Sequence, residues 1–157
     1  MVIRILVLDQ ARTTGYAVFE NGKLADYGAI ELGKKDEIYE SFLYSAKQKI
    51  HDLINKTQAE FVVIEDIQQQ NQNVKTYKKL AMLMGLLISL FQEMNKTYVI
   101  IPPSKWKAHC GIKGKRREEQ KENTLLFAKE RYGLENITED MADAISLGTY
   151  VVDTLIY

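Results

Sequence analysis

Three short apolar runs predict the central strands of a sheet. The runs are Val2 to Leu8, Phe61 to Ile64 and Tyr98 to Ile101. Each is almost continuously apolar, which is typical of a strand buried on both faces. Between the first two runs, Tyr16 to Phe19 and Leu24 to Ile30 flank Asn21-Gly22, a strong turn signal. This pattern predicts an antiparallel hairpin that continues from the first strand.

Longer segments with helical periodicity lie between and after these strands. The predicted helices are Asp36 to Lys56, Val74 to Met94, Glu118 to Arg131 and Thr138 to Tyr157. Gly133 is a suitable stop for the third helix, and Thr138 is a suitable N-cap for the fourth. Strands and helices together predict an α/β fold.

The helix that starts at Val74 is apolar around most of its circumference. One stripe includes Leu80, Met84, Leu87 and Phe91, yet further apolar residues cover much of the remaining surface. Such a helix must be buried on two sides, and the sheet of a small domain covers only one. We therefore expect a partner subunit on this stripe, most simply in a twofold dimer. The alternative is a helix wrapped by the protein's own termini.

The composition limits the class of protein. A chain of 157 residues fits one domain, here taken as 1–157, with a single core. One cysteine excludes an internal disulfide framework, and no signal peptide or membrane span is evident. These features predict a cytoplasmic protein with no membrane association. The 21 basic and 21 acidic residues balance, so net charge gives no reason to expect nucleic-acid binding.

The distribution of charge is more informative than its total. The segment from Ser104 to Arg117 contains no acid, and Gly111 and Gly114 interrupt it, so it is predicted to be mobile or turning. Its basic residues are Lys105, Lys107, Lys113, Lys115, Arg116 and Arg117. A charge run alone is most simply a solvated loop. Beside an acidic metal cluster, contact with the phosphates of a nucleic acid becomes the better interpretation.

Four acids supply that cluster. Asp9 and Glu65 each end an apolar run, and Asp140 and Asp143 lie three residues apart at the start of the last helix. Singly, a strand-end acid can cap a turn, and an acid in a first helical turn can favour the helix dipole. If the two strands are neighbours, all four carboxylates converge, and their repulsion requires bound cations.

The donor types predict which metal binds. Carboxylate oxygens suit Mg²⁺, with Mn²⁺ as a substitute, whereas zinc prefers nitrogen or sulfur ligands. His51, His109 and Cys110 are the only such ligands that the chain offers. Because a Mg²⁺ site most often handles phosphate, the acids indicate phosphoryl chemistry.

The order and spacing of these motifs resemble the RuvC family of Holliday junction resolvases, in the ribonuclease H-like superfamily. The resemblance spans nearly the whole chain and includes a phage-type divergence of the loops. The matching residues are Ile5-Leu6-Val7-Leu8-Asp9, Thr14-Gly15-Tyr16-Ala17-Val18, Val62-Val63-Ile64-Glu65, Pro103-Ser104 with Lys107, and Asp140-Met141-Ala142-Asp143-Ala144.

The resemblance implies a ribonuclease H-like mixed five-stranded sheet, with three antiparallel strands followed by two parallel ones, flanked by helices. It implies a homodimer whose contact is the helix from Val74. The four acids would be catalytic ligands of two Mg²⁺ ions per site, and Lys107 would handle the scissile strand. The expected reaction is paired nicking of four-way and branched DNA, leaving 5′-phosphate and 3′-hydroxyl ends.

The chain departs from the family pattern at two places. Gln68 occupies a position where the family often has an aromatic residue that stacks on opened bases, and Arg116 or Arg117 replaces a second family lysine. The stretch from Asp9 to Gly15 also resembles a phosphate loop of actin-like ATPases, but that fold needs two such domains, so no nucleotide cofactor is expected. A related nuclease acting on structured RNA and a non-catalytic dimer that binds branched DNA are further possible functions for the same residues.

Overall fold

A five-stranded mixed sheet forms the centre of the computed structural model, which describes residues 1–68 and 73–156. The sheet order is β3-β2-β1-β4-β5. Strands β1, β2 and β3 are antiparallel, β4 pairs parallel to β1, and β5 pairs parallel to β4. This topology confirms the predicted fold class. The strands are β1 (Arg4–Asp9), β2 (Thr13–Glu20), β3 (Lys23–Glu31), β4 (Phe61–Glu65) and β5 (Thr97–Ile101).

The β2–β3 hairpin forms where the sequence predicts it. Asn21 and Gly22 both have positive φ, at 50° and 82°. That conformation matches the twist of the flanking strands in a two-residue turn, and asparagine and glycine adopt it at low cost. The turn therefore sets the pairing of Glu20 with Lys23, and a register shift between Val18 and Phe19 precedes the rest of the ladder.

In the part of the chain that the structure describes, five α-helices cover the sheet. They are α1 (Tyr39–Thr57), α2 (Val74–Glu93), α3 (Pro103–His109), α4 (Arg117–Tyr132) and α5 (Glu139–Val151), and a π-helical turn, Val152–Ile156, follows α5. The predicted caps are confirmed, because Gly133 adopts a left-handed φ of 64° after α4 and the Thr138 hydroxyl accepts the Met141 N–H. Tyr157, where the last helix was predicted to end, lies outside the described residues.

The sheet separates two hydrophobic clusters. On one face α1 and α2 pack against the even-numbered residues of β1 and β4, such as Leu6, Leu8 and Ile64. On the other face α3, α4 and α5 pack against the odd-numbered residues, such as Ile5, Val7 and Val63. None of the described helices is long and apolar enough to cross a membrane.

The basic segment is more ordered than predicted. Its first half is α3, which begins at Pro103, and its last residue, Arg117, begins α4. Proline is favourable in the first helical turn because it has no N–H to leave unpaired. Trp106, with 2% exposure, anchors α3 in the second cluster. Only the residues between the two helices form a connection.

Half of the predicted dimer contact is wrong. Leu87 and Phe91 have 0% exposure and belong to the chain's own core, so they cannot contact a partner. Leu80 and Met84 are half-buried, and Met82 is 49% exposed. The helix buries one side, as an ordinary surface helix does, and its apolar outer residues stay partly accessible.

Candidate active site

Asp9 and Glu65 lie side by side at the carboxyl edge of the sheet. Strand β1 pairs parallel to β4 with Leu8 opposite Ile64, so the next residue of each strand continues the same register. Both side chains lie on the face that α5 covers, since they share the parity of Val7 and Val63. Asp66 is the next residue along, and successive residues of a strand point to opposite faces of the sheet. Glu65 is therefore the acid of this pair that faces the site.

A glutamine fixes the spacing of these two strand ends. Gln10 is 7% exposed, and its side-chain amide continues the hydrogen bonding between β1 and β4 by one more residue. Its Nε2 donates to the Glu65 carbonyl oxygen at 2.6 Å, and its Oε1 accepts the Glu65 N–H at 3.2 Å. Because a buried amide with both groups satisfied resists displacement, Glu65 is held at a fixed position relative to β1.

Helix α5 brings the other two acids to the same edge. Asp140 and Asp143 lie in its first turns, where the helix dipole favours negative charge. The helix can approach β2 because residue 15 is glycine, and a Cβ there would collide with the main-chain oxygen of Asp140. At the far end of the contact, Gly148 meets the ring of Phe19 in the same way. Two glycines thus set the distance between α5 and the sheet.

The four carboxylates destabilise one another's charged forms. Burial raises the pKa of Asp9 well above its ordinary value, and the charges of Asp143, Glu65 and Asp140 raise it further. Burial, followed by the charges of Asp140 and Glu139, raises the pKa of Asp143 from 3.8 to about 6. The pKa of Asp140 is also raised, mainly by burial. These effects place the four acids near one another at one edge of the sheet, and their role as metal ligands stays a prediction.

Glu65 has a partner that the sequence did not reveal. Trp106 of α3 donates its Nε1–H to Glu65 Oε2 at 2.6 Å. Burial raises the pKa of Glu65, and this hydrogen bond is the largest influence that lowers it. A hydrogen bond from a buried donor to a carboxylate is stronger than one between neutral groups.

Two lysines bring positive charge to the acids. Lys107 lowers the pKa of Glu65 and Asp143, and its Nζ donates to Gln120 Oε1 at 3.1 Å. Lys121 of α4 lowers the pKa of Asp9, Asp140 and Asp143, and forms an ion pair with Glu139 at 3.4 Å. The predicted position of Lys107 near the acids is consistent with this arrangement.

The remaining predicted DNA contacts lie on the surface. Gln68, at the end of the described segment after β4, is exposed. The five other basic residues are exposed around α3, the following connection and the start of α4, and are Lys105, Lys113, Lys115, Arg116 and Arg117. Their role in binding DNA stays a prediction.

Three residues of the site were missed by the sequence prediction, namely Gln10, Trp106 and Lys121. Gln10 follows a strand-end acid, and no local pattern marks its reach to β4. Lys121 lies among Glu118, Glu119 and Glu122 and so looks like part of a solvated helix face. Trp106 carried the only sequence signal, as the sole tryptophan directly before Lys107.

The four acids suit a divalent cation in their chemistry but not in their arrangement. The donor set consists of desolvated carboxylates, which is the chemistry that Mg²⁺ prefers. Within residues 1–68 and 73–156, however, no three Asp, Glu, His or Cys side chains are arranged to hold a metal ion. The backbone therefore brings the acids to one edge of the sheet, but their side-chain oxygens are not arranged as the magnesium site that the sequence predicts.

Solved structures of Holliday junction resolvases share this fold. Thermus thermophilus RuvC in complex with a Holliday junction substrate aligns with a TM-score of 0.73 and 15% identity, covering 94% of this chain and 91% of that one. Fowlpox virus resolvase with its substrate Holliday junction DNA aligns with a TM-score of 0.68 and 12% identity, covering 99% and 100%. The yeast mitochondrial Holliday junction resolvase aligns with a TM-score of 0.62 and 15% identity, and the alignment covers 96% of this chain and 78% of that one.

These likenesses confirm the predicted resemblance to RuvC, and at such low identity they establish the fold alone. No curated protein sequence matches the chain. A family model described as Lactococcus phage M3 protein matches residues 4–153, nearly the whole length. The chain therefore belongs to the DUF3882 family of Lactococcus phage M3 proteins, with a RuvC-like ribonuclease H fold.

Proposed function

We propose that this protein is a Mg²⁺-dependent endonuclease that resolves Holliday junctions and other branched DNA by paired nicks. The observation that carries the proposal is the set of four desolvated carboxylates at one sheet edge, which repel one another and are flanked by two lysines. Such a set costs stability, and residues with perturbed pKa values in this kind of arrangement cluster at functional sites. The resolvases that share the fold support a branched DNA substrate.

The reaction is hydrolysis of a phosphodiester bond, with water attacking in line and a 3′ hydroxyl leaving. Asp9, Glu65, Asp140 and Asp143 are the groups that would hold Mg²⁺. Two bound ions would supply an activated water and neutralise charge on the leaving oxygen. Lys107 and Lys121 provide positive charge beside the acids and offset the charge that develops on the phosphoryl oxygens. The expected products carry 5′-phosphate and 3′-hydroxyl ends.

Paired nicking needs two sites, so we further propose a twofold homodimer. The outer surface of α2 is the candidate contact, through Leu80, Met84 and the exposed Met82. Two symmetric sites would cut opposing strands of a four-way junction in one encounter. The exposed Gln68 offers no aromatic face for an opened base, a contact that contributes about 1 to 3 kcal/mol elsewhere. We therefore expect a broad preference for branched DNA.

The proposal is tested by incubating the purified protein with a four-way junction, a fork, linear duplex and an RNA–DNA hybrid, with Mg²⁺ and with EDTA. We expect cleavage of the branched DNA only when Mg²⁺ is present. Cleavage confined to the hybrid would instead favour a nuclease acting on RNA. Junction binding without cleavage under all conditions would favour a non-catalytic binding dimer.

Adjacent acids on β4 provide a matched pair of variants. Glu65→Gln should abolish cleavage while junction binding persists, because the variant keeps the side-chain size and loses the charge. Asp66→Asn makes the same kind of change one residue further on and should leave cleavage intact. If Glu65→Gln cuts at the wild-type rate, the site assignment is wrong.

A further inference from the structure

Trp106 is a buried aromatic residue with a polar connection to the site. It is the only tryptophan in the chain and is 2% exposed. A buried indole N–H normally finds a hydrogen-bond partner. Here the partner is the carboxylate of Glu65, 41 residues away, at 2.6 Å. The bond ties α3 to the carboxyl end of β4, beside the other acids.

We propose that Trp106 is a positioning residue that holds the Glu65 carboxylate for a divalent cation, and that its emission reports on that cation. The inference rests on the proposed function for the role of Glu65 as a ligand. Trp106 itself is 2% exposed and donates a hydrogen bond to Glu65, so it acts through Glu65.

Glu65 is held at both ends by side chains from different elements. Gln10 binds its main-chain N–H and carbonyl oxygen, and Trp106 binds Oε2 of its carboxylate. The backbone cannot shift and the side chain cannot rotate without breaking a hydrogen bond. Trp106 engages Oε2, so under the proposed function the other carboxylate oxygen, Oε1, would contact the cation. Partners that orient a metal ligand in this way commonly matter about 10- to 100-fold for metal affinity.

The indole is itself held in place. Trp106 packs in the second hydrophobic cluster, and the Nζ atom of Lys107 lies 5.5 Å from the centre of its ring. At the end of α3, His109 Nε2 contacts Asp153 Oδ2 at 2.9 Å, which joins this short helix to the π-helical turn. The donor therefore has a fixed direction, which is what positioning a carboxylate requires.

The first experiment compares two variants that each delete one polar contact of a buried aromatic. Trp106→Phe keeps an aromatic ring and removes the N–H. Tyr132→Phe removes a hydroxyl that contacts Thr149 at 2.5 Å on the same side of the sheet. Thermal unfolding is followed over a MgCl₂ titration. We expect the Mg²⁺ dissociation constant of Trp106→Phe to rise about 10- to 100-fold. That of Tyr132→Phe should match the wild type.

The second experiment uses the single tryptophan as a probe. Wild-type emission should change saturably with Mg²⁺ and be quenched by Mn²⁺, whereas Glu65→Gln should not respond. In cleavage assays, Trp106→Phe should lose turnover at low Mg²⁺ and recover it at high Mg²⁺. If Trp106 had only a structural role, Trp106→Phe would lower the melting temperature without changing the Mg²⁺ concentration at the midpoint of the titration, here called the Mg²⁺ midpoint.

Equal Mg²⁺ midpoints for the two Phe variants would overturn the inference, as would wild-type emission that Mg²⁺ leaves unchanged. The proposed function fails separately. If Trp106 responds to Mg²⁺ through Glu65 but no DNA is cut, the positioning role stands and the nuclease is excluded. If branched DNA is cut with an unchanged midpoint in Trp106→Phe, the nuclease stands and the positioning role is wrong.

Discussion

Replacing Asp143 by asparagine should stabilise the protein when no divalent cation is bound. Asp143 is held among other acids, and burial is the main cause that raises its pKa from 3.8 to about 6. Lys121 and Lys107 lower it and so offset only part of this effect. Asparagine has nearly the same shape and no charge. The variant therefore removes the unfavourable carboxylate and keeps the packing of α5.

The magnitude follows from the linkage between protonation and folding. Each pKa unit corresponds to about 1.4 kcal/mol, so the rise at Asp143 costs the folded state up to about 3 kcal/mol at pH 7.5. Movement of the side chain toward water reduces this, and we expect about 1 to 3 kcal/mol. For a chain of this size, each kcal/mol moves the melting temperature by about 2 to 4 °C. The variant should melt several degrees above the wild type in EDTA.

The pH dependence has a definite sign. A carboxyl whose folded pKa is raised binds its proton more tightly in the folded state, so wild-type stability falls as pH rises from 3.8 to about 6. Asp143→Asn lacks this loss. The difference in melting temperature should be small near pH 4, grow between pH 4 and 6, and stay constant above.

Differential scanning calorimetry in EDTA, from pH 4 to 8, measures this difference. Asp52→Asn, which neutralises a side chain that is 81% exposed on α1, is the control and should change stability by less than about 0.5 kcal/mol. Mg²⁺ should stabilise the wild type more than Asp143→Asn, because binding to the folded state adds stability that depends on affinity. A natively folded variant that melts at or below the wild type in EDTA at pH 7.5 would refute the reasoning.

Three further predictions concern the packing and charges around the site. Gly15→Ala should lower the free energy of unfolding by about 2 to 3 kcal/mol in denaturant titrations, because its Cβ would collide with α5; an unchanged midpoint would contradict that close approach. Lys107→Ala and Lys121→Ala should each slow junction cleavage more than Lys113→Ala does. Equal rates for the three variants would mean that these lysines contribute only through the general positive charge of the surface. Met82→Glu should shift the proposed dimer to monomers in analytical ultracentrifugation, and an unchanged mass would exclude α2 as the contact.

Features that depend on neighbouring residues could be predicted from the sequence. The hairpin follows from Asn21-Gly22, whose backbone conformation only a few residue types favour. The strands follow from apolar runs too short for helices. The convergence of Asp9 and Glu65 follows once their strands are taken as neighbours, since parallel strands end at one edge. These inferences require only local pattern and one assumption about pairing.

Features that depend on distant contacts could not be predicted. The helical start of the basic segment is stabilised by burial of Trp106, whose partner lies 41 residues away. The buried side of α2 was misassigned because apolar residues surround it and only tertiary contacts select a face. Conversely, α5 is buried around most of its circumference, and its buried residues include Ser146, Gly148 and Thr149. A search for apolar residues alone does not identify these three as buried.

The stability of the sheet explains how the acids can remain together. Asp9 and Glu65 are fixed by a parallel ladder between two hydrophobic clusters, and Gln10 extends that ladder to the last residue. Gly15 lets α5 press against the same sheet, which keeps Asp143 close. The repulsion among the carboxylates therefore cannot be relieved by moving the backbone. It can be relieved by protonation, and under the proposed function it would be relieved by the divalent cation that these acids hold.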